Sequence, residues 1–310
     1  MFRQLLVPLD GSPAAEQALP VARKVALATQ ATLHLVHVIP LPLPPWAVMG
    51  VYLPQSAYDV AVQADEQEAA SYLAGVRGRV AATGIQVRVT VLSGSADPQL
   101  VLYEREQAID LVVLSLHPHP GPARLTLGPV AAHLLRYGSA PLLLVGGCAD
   151  ASCLAHAVLP LDGSAAHEEI LTTVQALAPA VVQRVSLLRV VQDEGQRPAG
   201  ERYLADIEQR LALQNLPVVD RRVVVGCPQT TIREMAGNER LVVRATHAHA
   251  SPLHWLTSSV AERVVHEHVP AVLLVRTGTP ANPRLHAVPC GLDDVHEPAE
   301  GAAAPAALEG

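Results

Sequence analysis

The stretch VPLDGSPAAEQAL, residues 7–19, returns as LPLDGSAAHEEIL at residues 159–171. The two stretches carry the same residue at eight of thirteen positions, in the same order and without a gap. Asp10 and Asp162 are therefore equivalent positions of a duplicated unit. Because a duplicated sequence carries the same structural instructions twice, both copies are predicted to form the same fold.

The size and composition of the chain fit two domains of one kind. Its 310 residues are 50% hydrophobic, which is enough to fill two ordinary cores, since domains usually contain about 100 to 200 residues. Aromatic residues make up only 3%. The cores are therefore predicted to be aliphatic, as in α/β proteins whose buried parallel strands are rich in Val and Leu.

Charge and terminal sequence indicate a cytoplasmic protein with no nucleic-acid or membrane partner. The net charge is −7 and Lys and Arg form no cluster, so the footprint of a nucleic-acid or anionic-membrane binder is missing. MFRQLLVPLDG lacks the features of a signal peptide, and no run of about 18 apolar residues predicts a membrane span. Few, scattered cysteines fit a reducing compartment; they are Cys148, Cys153, Cys227 and Cys290.

The first copy alternates apolar runs with segments that carry apolar residues at helical spacing. The predicted strands are 4–9, 31–38, 86–92, 110–116 and 141–145, and the predicted helices are 13–28, 63–82, 97–108 and one beginning near Gly128. Alternation of this kind predicts a five-stranded parallel sheet with right-handed crossovers and helices on both faces. The proline-rich connection 39–54 is predicted to be either a lid or an ordinary mobile surface loop.

The second copy repeats the pattern in a shorter form. Its predicted strands are 157–161, 185–191, 218–225, 241–245 and 271–275, and its predicted helices are 165–178, 229–236 and 258–266. The offset between the copies is 152 up to Val190 but 132 at Gly226, so about twenty residues are missing after the second strand. The predicted organisation is a first domain 1–147, a linker 148–155, a second domain 156–277 and a disordered tail 278–310.

Several features together resemble the universal stress protein family. They are VPLDGS at the first strand, a strand ending in His37-Val38, Asp-Leu-Val-Val before a Gly-containing loop, and VAxxLLR followed by APLLLV. The likeness covers roughly residues 1–146 and 156–276, so the chain is identified as a tandem two-domain member. The resemblance implies a Rossmann-like sheet of order 3-2-1-4-5, as in adenine nucleotide alpha hydrolase-like domains, in each copy. It also implies that strands 141–145 and 271–275 join the copies as an intramolecular pseudo-dimer, with a homodimer as a further expectation.

The resemblance further implies an ATP site at the carboxyl ends of the first and fourth strands. This agrees with the rule that open parallel sheets bind ligands where the strand order reverses. The residues carried over are Pro8, Asp10, Val38, Gly128 and Val130 in the first copy, and Pro160, Asp162, Val190, Ser258 and Ser259 in the second. Ordinary turn chemistry also explains an Asp-Gly pair after a strand, and helix capping explains Ser12.

The phosphate motif implied by the resemblance, G-x2-G-x9-G followed by Ser or Thr, is altered in both copies. The corresponding residues are Ser115, Pro118, Gly128 and Pro129 in the first copy, and Ala245, Ala248, Ser258 and Ser259 in the second. Each proline removes an amide donor, so phosphate binding is predicted to be weaker in the first copy. The second copy keeps two hydroxyls, which favours Asp162 as the better site, although serine at a helix start is also an ordinary cap.

Histidine pairs occupy equivalent loop positions in the two copies. They are His117 and His119 in the first copy, and His247 and His249 in the second. Histidines two residues apart can share a zinc ion where the backbone is extended. No cysteine or carboxylate has companion spacing, so the pairs are also explained as solvated residues or as phosphate donors.

The preferred interpretation is a non-catalytic stress-response or regulatory module with weak ATP binding. Paired carboxylates, a Ser-His-Asp order and a P-loop motif are all missing from the sequence, so no enzyme activity is predicted. Two alternatives stay open. One is a ligand-free protein-interaction module, and the other is a zinc-binding protein that uses the histidine pairs.

Overall fold

The computed structural model describes residues 2–40, 55–81, 84–118, 125–146, 151–164, 167–237, 240–247 and 270–277. All of the described residues belong to one compact unit of the chain, Met1–Gly278. The predicted tail, most of the proline-rich connection and the predicted helix 258–266 lie outside the described residues.

The first half alternates strands and helices. Its strands are β1 (Gln4–Pro8), β2 (Thr32–Ile39), β3 (Val87–Ser93), β4 (Leu111–Ser115), β5 (His117–Pro118), β6 (Leu125–Thr126) and β7 (Leu142–Val145). Its helices are α1 (Pro13–Glu16), α2 (Leu19–Thr29), α3 (Gln55–Ala81), α4 (Ala96–Glu106) and α5 (Pro129–Tyr137). Strands β5 and β6 form a separate two-stranded antiparallel hairpin.

The second half repeats this alternation. Its strands are β8 (His156–Pro160), β9 (Arg184–Val191), β10 (Val218–Val225), β11 (Leu241–His247) and β12 (Ala271–Thr277). Its described helices are α6 (His167–Leu177), α7 (Arg197–Ala212) and α8 (Pro228–Ala236). Short 3-10 turns at Ser152–Ala155 and Glu194–Gln196 precede β8 and α7.

Ten strands form one sheet in the order β10-β9-β8-β11-β12-β7-β4-β1-β2-β3. Within each half the order is 3-2-1-4-5 and every pairing is parallel, so the predicted fold is confirmed. Strands β7 and β12 pair antiparallel, with Val145 opposite Ala271 and Leu142 opposite Leu274. The two halves therefore join edge to edge through the strands that the resemblance assigned to this role.

Side chains alternate between the two faces of the sheet, and helices cover both faces. On the α2 face, named for that helix, α2, α3, α6 and α7 pack over strand residues such as Leu5 and Val113. On the opposite α4 face, α4, α5 and α8 pack over strand residues such as Leu6 and Val112. Because the strands are covered on both sides, they read as nearly continuous apolar runs.

Three helices of the structure differ from the prediction. The helix predicted at 13–28 is broken into α1 and α2, because Pro20 has no N–H to donate and its ring crowds the preceding turn. Helix α3 begins at Gln55, eight residues before its predicted start. Helix α7 was not predicted at all, although Leu204, Ile207 and Leu211 lie at helical spacing and are buried.

The cysteines differ from one another. Cys153 is buried and disulfide-bonded, whereas Cys227 is free and exposed. The expectation of a reducing compartment came from spacing along the sequence alone, whereas the pairing of two cysteines also depends on the fold bringing their Cβ atoms within about 4.5 Å and on an oxidising environment. The compartment stays a prediction.

Among the described helices, none combines the length and the apolar character that crossing a bilayer requires.

Candidate functional site

The first half contains a crevice at the point where its strand order reverses. The chain passes from β1 to β2 on one side and returns to β4 on the other. The pairing of β1 with β4 extends only over Leu5 with Leu111 and Leu6 with Val112. Because the strands are unpaired beyond these residues, their carboxyl ends leave space between them, which is where open parallel sheets bind ligands.

A cavity of about 120 Å³ fills this crevice, and we call it the first cleft. It is lined by Pro8, Leu9, Asp10, Ala15, Val36, Val38, Ala96, Leu100, Leu114, Ser115 and Val130. Four of the five site residues predicted in the first copy are therefore brought together. The fifth, Gly128, is the N-cap of α5 and is not among the lining residues.

The turn after β1 fixes Asp10 in the first cleft. Asp10 is exposed, and its Oδ1 accepts a hydrogen bond from the Ser12 N–H at 2.9 Å. The intervening Gly11 has a φ of 83°, a left-handed conformation that favours glycine. Ser12 Oγ in turn accepts from the Ala15 N–H at 3.1 Å and caps α1. Turn chemistry and capping thus both operate, and they hold the carboxylate at the cleft.

Ser115 was not predicted as a binding residue, yet it is among the residues that line the first cleft. It ends β4, and its buried Oγ has no hydrogen-bond partner among the described residues. Buried hydroxyl groups are nearly always hydrogen-bonded, so an unsatisfied one in a cavity wall is available to a ligand. In the sequence, the signal was a polar residue at the end of the apolar run LVVLS, which was counted only as an altered motif position.

The second half repeats the turn geometry. Asp162 is exposed and its Oδ1 accepts from the Ser164 N–H at 2.9 Å, while Gly163 has a φ of 82°. The pairing of β8 with β11 likewise stops at Val158 with Val242. Pro160 and Val190 lie at the positions of Pro8 and Val38, and we call this place the second cleft. Ser258 and Ser259 lie outside the described residues.

Two arginines distinguish the second half. Arg189 takes the position of His37 on the α2 face, where its guanidinium lies 5.2 Å from the ring centre of Tyr203. Arg244 takes the position of Leu114. Burial lowers the pKa of Arg244 to about 10, and the neighbouring Asp162 carboxylate partly opposes this shift. In the sequence, Arg244 is visible as a charged residue inside the otherwise apolar run LVVRA, but the comparison of motifs did not consider it.

The histidine pairs are only partly within the described residues. His117 lies in β5 and His247 ends β11, whereas His119 and His249 lie outside. In the described part of the chain, no three His, Cys, Asp or Glu side chains are grouped closely enough to hold a metal ion. The zinc hypothesis stays a prediction.

Comparison with known proteins bears on the whole arrangement. Residues 1–146 match the model of the universal stress protein family. Universal stress protein YxiE of Bacillus subtilis is 25% identical over 147 residues, covering 47% of this chain and 99% of that protein. Universal stress protein MJ0531 of Methanocaldococcus jannaschii is 22% identical over 145 residues, covering 47% and 82%.

A solved structure extends the similarity to both halves. The crystal structure of a universal stress protein from Archaeoglobus fulgidus matches with a TM-score of 0.72, covering 89% of this chain and 98% of the other. Its sequence identity is 15%, so the match establishes the fold alone.

Proposed function

We propose, from the match of residues 1–146 to the universal stress protein family, that this chain is a non-catalytic stress-response module whose first cleft binds an adenine nucleotide weakly. The cleft itself carries the proposal. Its wall is mainly apolar, with Asp10 and Ser115 as the polar residues among those that line it. An adenine ring has apolar faces and hydrogen-bonding edges, so such a lining suits it.

The size of the first cleft limits which part of the nucleotide it can hold. Ligand pockets usually measure about 300 to 1,000 Å³, whereas this cavity measures about 120 Å³. The adenosine end therefore enters the cleft and the phosphates stay outside. Pro129, the first residue of α5, supplies no amide to them, which removes one donor from the helix start.

The proposed lack of catalysis rests on the chemistry of the lining. Asp10 is the only ionisable side chain among the described lining residues, and its Oδ1 already accepts from Ser12. Hydrolysis of a phosphate ester needs a group positioned to activate water or to stabilise the departing charge. The first cleft is therefore proposed to sense a nucleotide rather than to turn it over.

Calorimetric titration with adenosine and with ATP tests the proposal. We expect the two ligands to bind with similar affinities, because the phosphates make few contacts. Ser115→Ala should weaken both by about three- to tenfold, the usual value of one hydrogen bond. Asp10→Asn should also weaken binding, whereas the matched variant Asp162→Asn in the second half should leave it unchanged.

Three results would change the interpretation. The absence of any heat at millimolar ATP would favour the ligand-free interaction module. Much tighter binding of ATP than of adenosine would contradict the idea that the phosphates stay outside. A loss of adenosine binding in Asp162→Asn, with none in Asp10→Asn, would move the site to the second cleft, as the serines of the second copy predict.

A further inference from the structure

A partly buried arginine makes the second cleft chemically different from the first. Strands β4 and β11 read LVVLS and LVVRA, so Arg244 stands where Leu114 lines the first cleft. Side chains alternate along a strand, so Arg244 shares the α4 face with Val242. The guanidinium group is therefore directed to the cleft side of the sheet.

Arg244 is short of hydrogen-bond acceptors. Its Nη1 is buried and has no hydrogen-bond partner within the described ranges. Burying a charged donor without an acceptor is unfavourable, and native structures normally satisfy such groups. The side chain as a whole is only partly covered, so an acceptor in the cleft can approach it.

The charges around Arg244 restrict what that acceptor can be. The carboxylate of Asp162 is close enough to act on the guanidinium electrostatically. Arg244 and Asp162 carry opposite charges, and the guanidinium of Arg189 lies beside the same turn, with its Nη1 2.7 Å from where a Cβ on Gly163 would stand. A carboxylate spreads a single negative charge over two oxygens and matches the planar guanidinium in shape.

We propose that the second cleft binds the carboxylate group of a small organic acid through Arg244. The ligand is held by a side-chain cation on the strand, so the binding needs no glycine-rich loop. This cleft and its ligand are separate from the adenine site of the first cleft. Each of the two proposals therefore holds or fails without the other.

Thermal unfolding of the full chain in acetate, in inorganic phosphate and in chloride, at equal ionic strength, tests the proposal. Acetate should raise the unfolding temperature relative to chloride, and phosphate should do so less at neutral pH. Arg244→Leu, which installs the residue found at position 114, should weaken the apparent acetate affinity about tenfold or more. Arg244→Lys keeps the positive charge but loses the planar group that can donate two parallel hydrogen bonds, so it should give an intermediate acetate affinity.

Two further variants serve as controls. Arg222→Lys changes an exposed guanidinium on β10 that is paired with Asp220, and it should leave the acetate response unchanged. Asp162→Asn removes the competing carboxylate and should strengthen the response to phosphate more than the response to acetate. Leucine occupies the equivalent position 114 in β4, so Arg244→Leu is expected to fold.

An acetate response equal to that in chloride would overturn the proposal, as would an undiminished response in Arg244→Leu. Adenosine binding provides the independent readout, because Arg244→Leu should not affect it. A variant that loses both responses would show general damage to the fold and would contradict the separate roles of the two clefts.

Discussion

The glycine that follows each cleft aspartate has less space for a side chain in the second half than in the first. Gly11 and Gly163 have φ values of 83° and 82°, so alanine at either position is strained by about 1 to 2 kcal/mol. A Cβ at Gly11 would lie 4.0 Å from Cε1 of His37, which is an ordinary contact. A Cβ at Gly163 would lie 2.7 Å from Nη1 of Arg189, so that side chain must move.

We therefore predict that Gly163→Ala lowers the free energy of unfolding by about 1 kcal/mol more than Gly11→Ala. The extra cost comes from displacing Arg189 from the ring of Tyr203, since a cation–π contact contributes about 0.5 to 2 kcal/mol. Urea denaturation of both variants measures the difference. In the background of Arg189→Ala the two costs should become equal, and a difference that persists there would contradict the explanation.

Each half has a buried histidine that connects neighbouring strands, but the histidine lies on the second strand of the first half and on the first strand of the second half. His34 on β2 contacts Gln4 Oε1 on β1 at 2.7 Å and Tyr103 Oη at 2.8 Å. In the second half the histidine is His156 on β8, and it contacts Ser186 Oγ on β9 at 2.7 Å. Burial lowers the pKa of both rings, that of His156 to about 4. The paired strands therefore hold these rings neutral.

This predicts a loss of stability in mild acid. Between pH 6.5 and 4 the unfolded chain binds a proton at position 156 and the folded chain does not, so stability falls as the pH falls through this range. The loss from His156 is at most about 3 kcal/mol, at about 1.4 kcal/mol per pKa unit. Urea denaturation at pH 7 and pH 5 should show a smaller change in His156→Gln than in the parent.

Strands were predictable from the sequence because burial on both faces makes each of them a short apolar run. Helix boundaries were harder to predict. The break at Pro20 has a local cause that the apolar spacing of residues 13–28 concealed, whereas the start of the weakly periodic α3 depends on packing. Asp10 and Val38, which the motif singled out, both line the first cleft, and their role in binding stays a prediction. The motif did not single out Ser115 or Arg244 as binding residues, because a buried polar atom without a partner among the described residues is visible only in the fold.

The antiparallel pair of β7 and β12 makes one continuous sheet out of two similar halves. At its centre Leu143 stands opposite Leu273, and both side chains are fully buried on the α2 face. Each half thus covers the edge strand of the other, an edge that would otherwise be open to pairing with another chain. The duplication therefore protects inside one chain a surface that separate halves would expose.

If the junction is a single packed core, the two leucines should be coupled energetically. We predict that Leu143→Ala and Leu273→Ala each cost about 2 to 5 kcal/mol, and that the double variant departs from additivity by about 0.5 to 3 kcal/mol. Leu33 on β2 is the matched control, because it lies on the same face but four strands from Leu273, at about 4.8 Å per strand. Leu33→Ala should add to Leu273→Ala without coupling. Equal additivity for both pairs, measured by urea denaturation, would mean that the halves unfold as independent units rather than through a shared core.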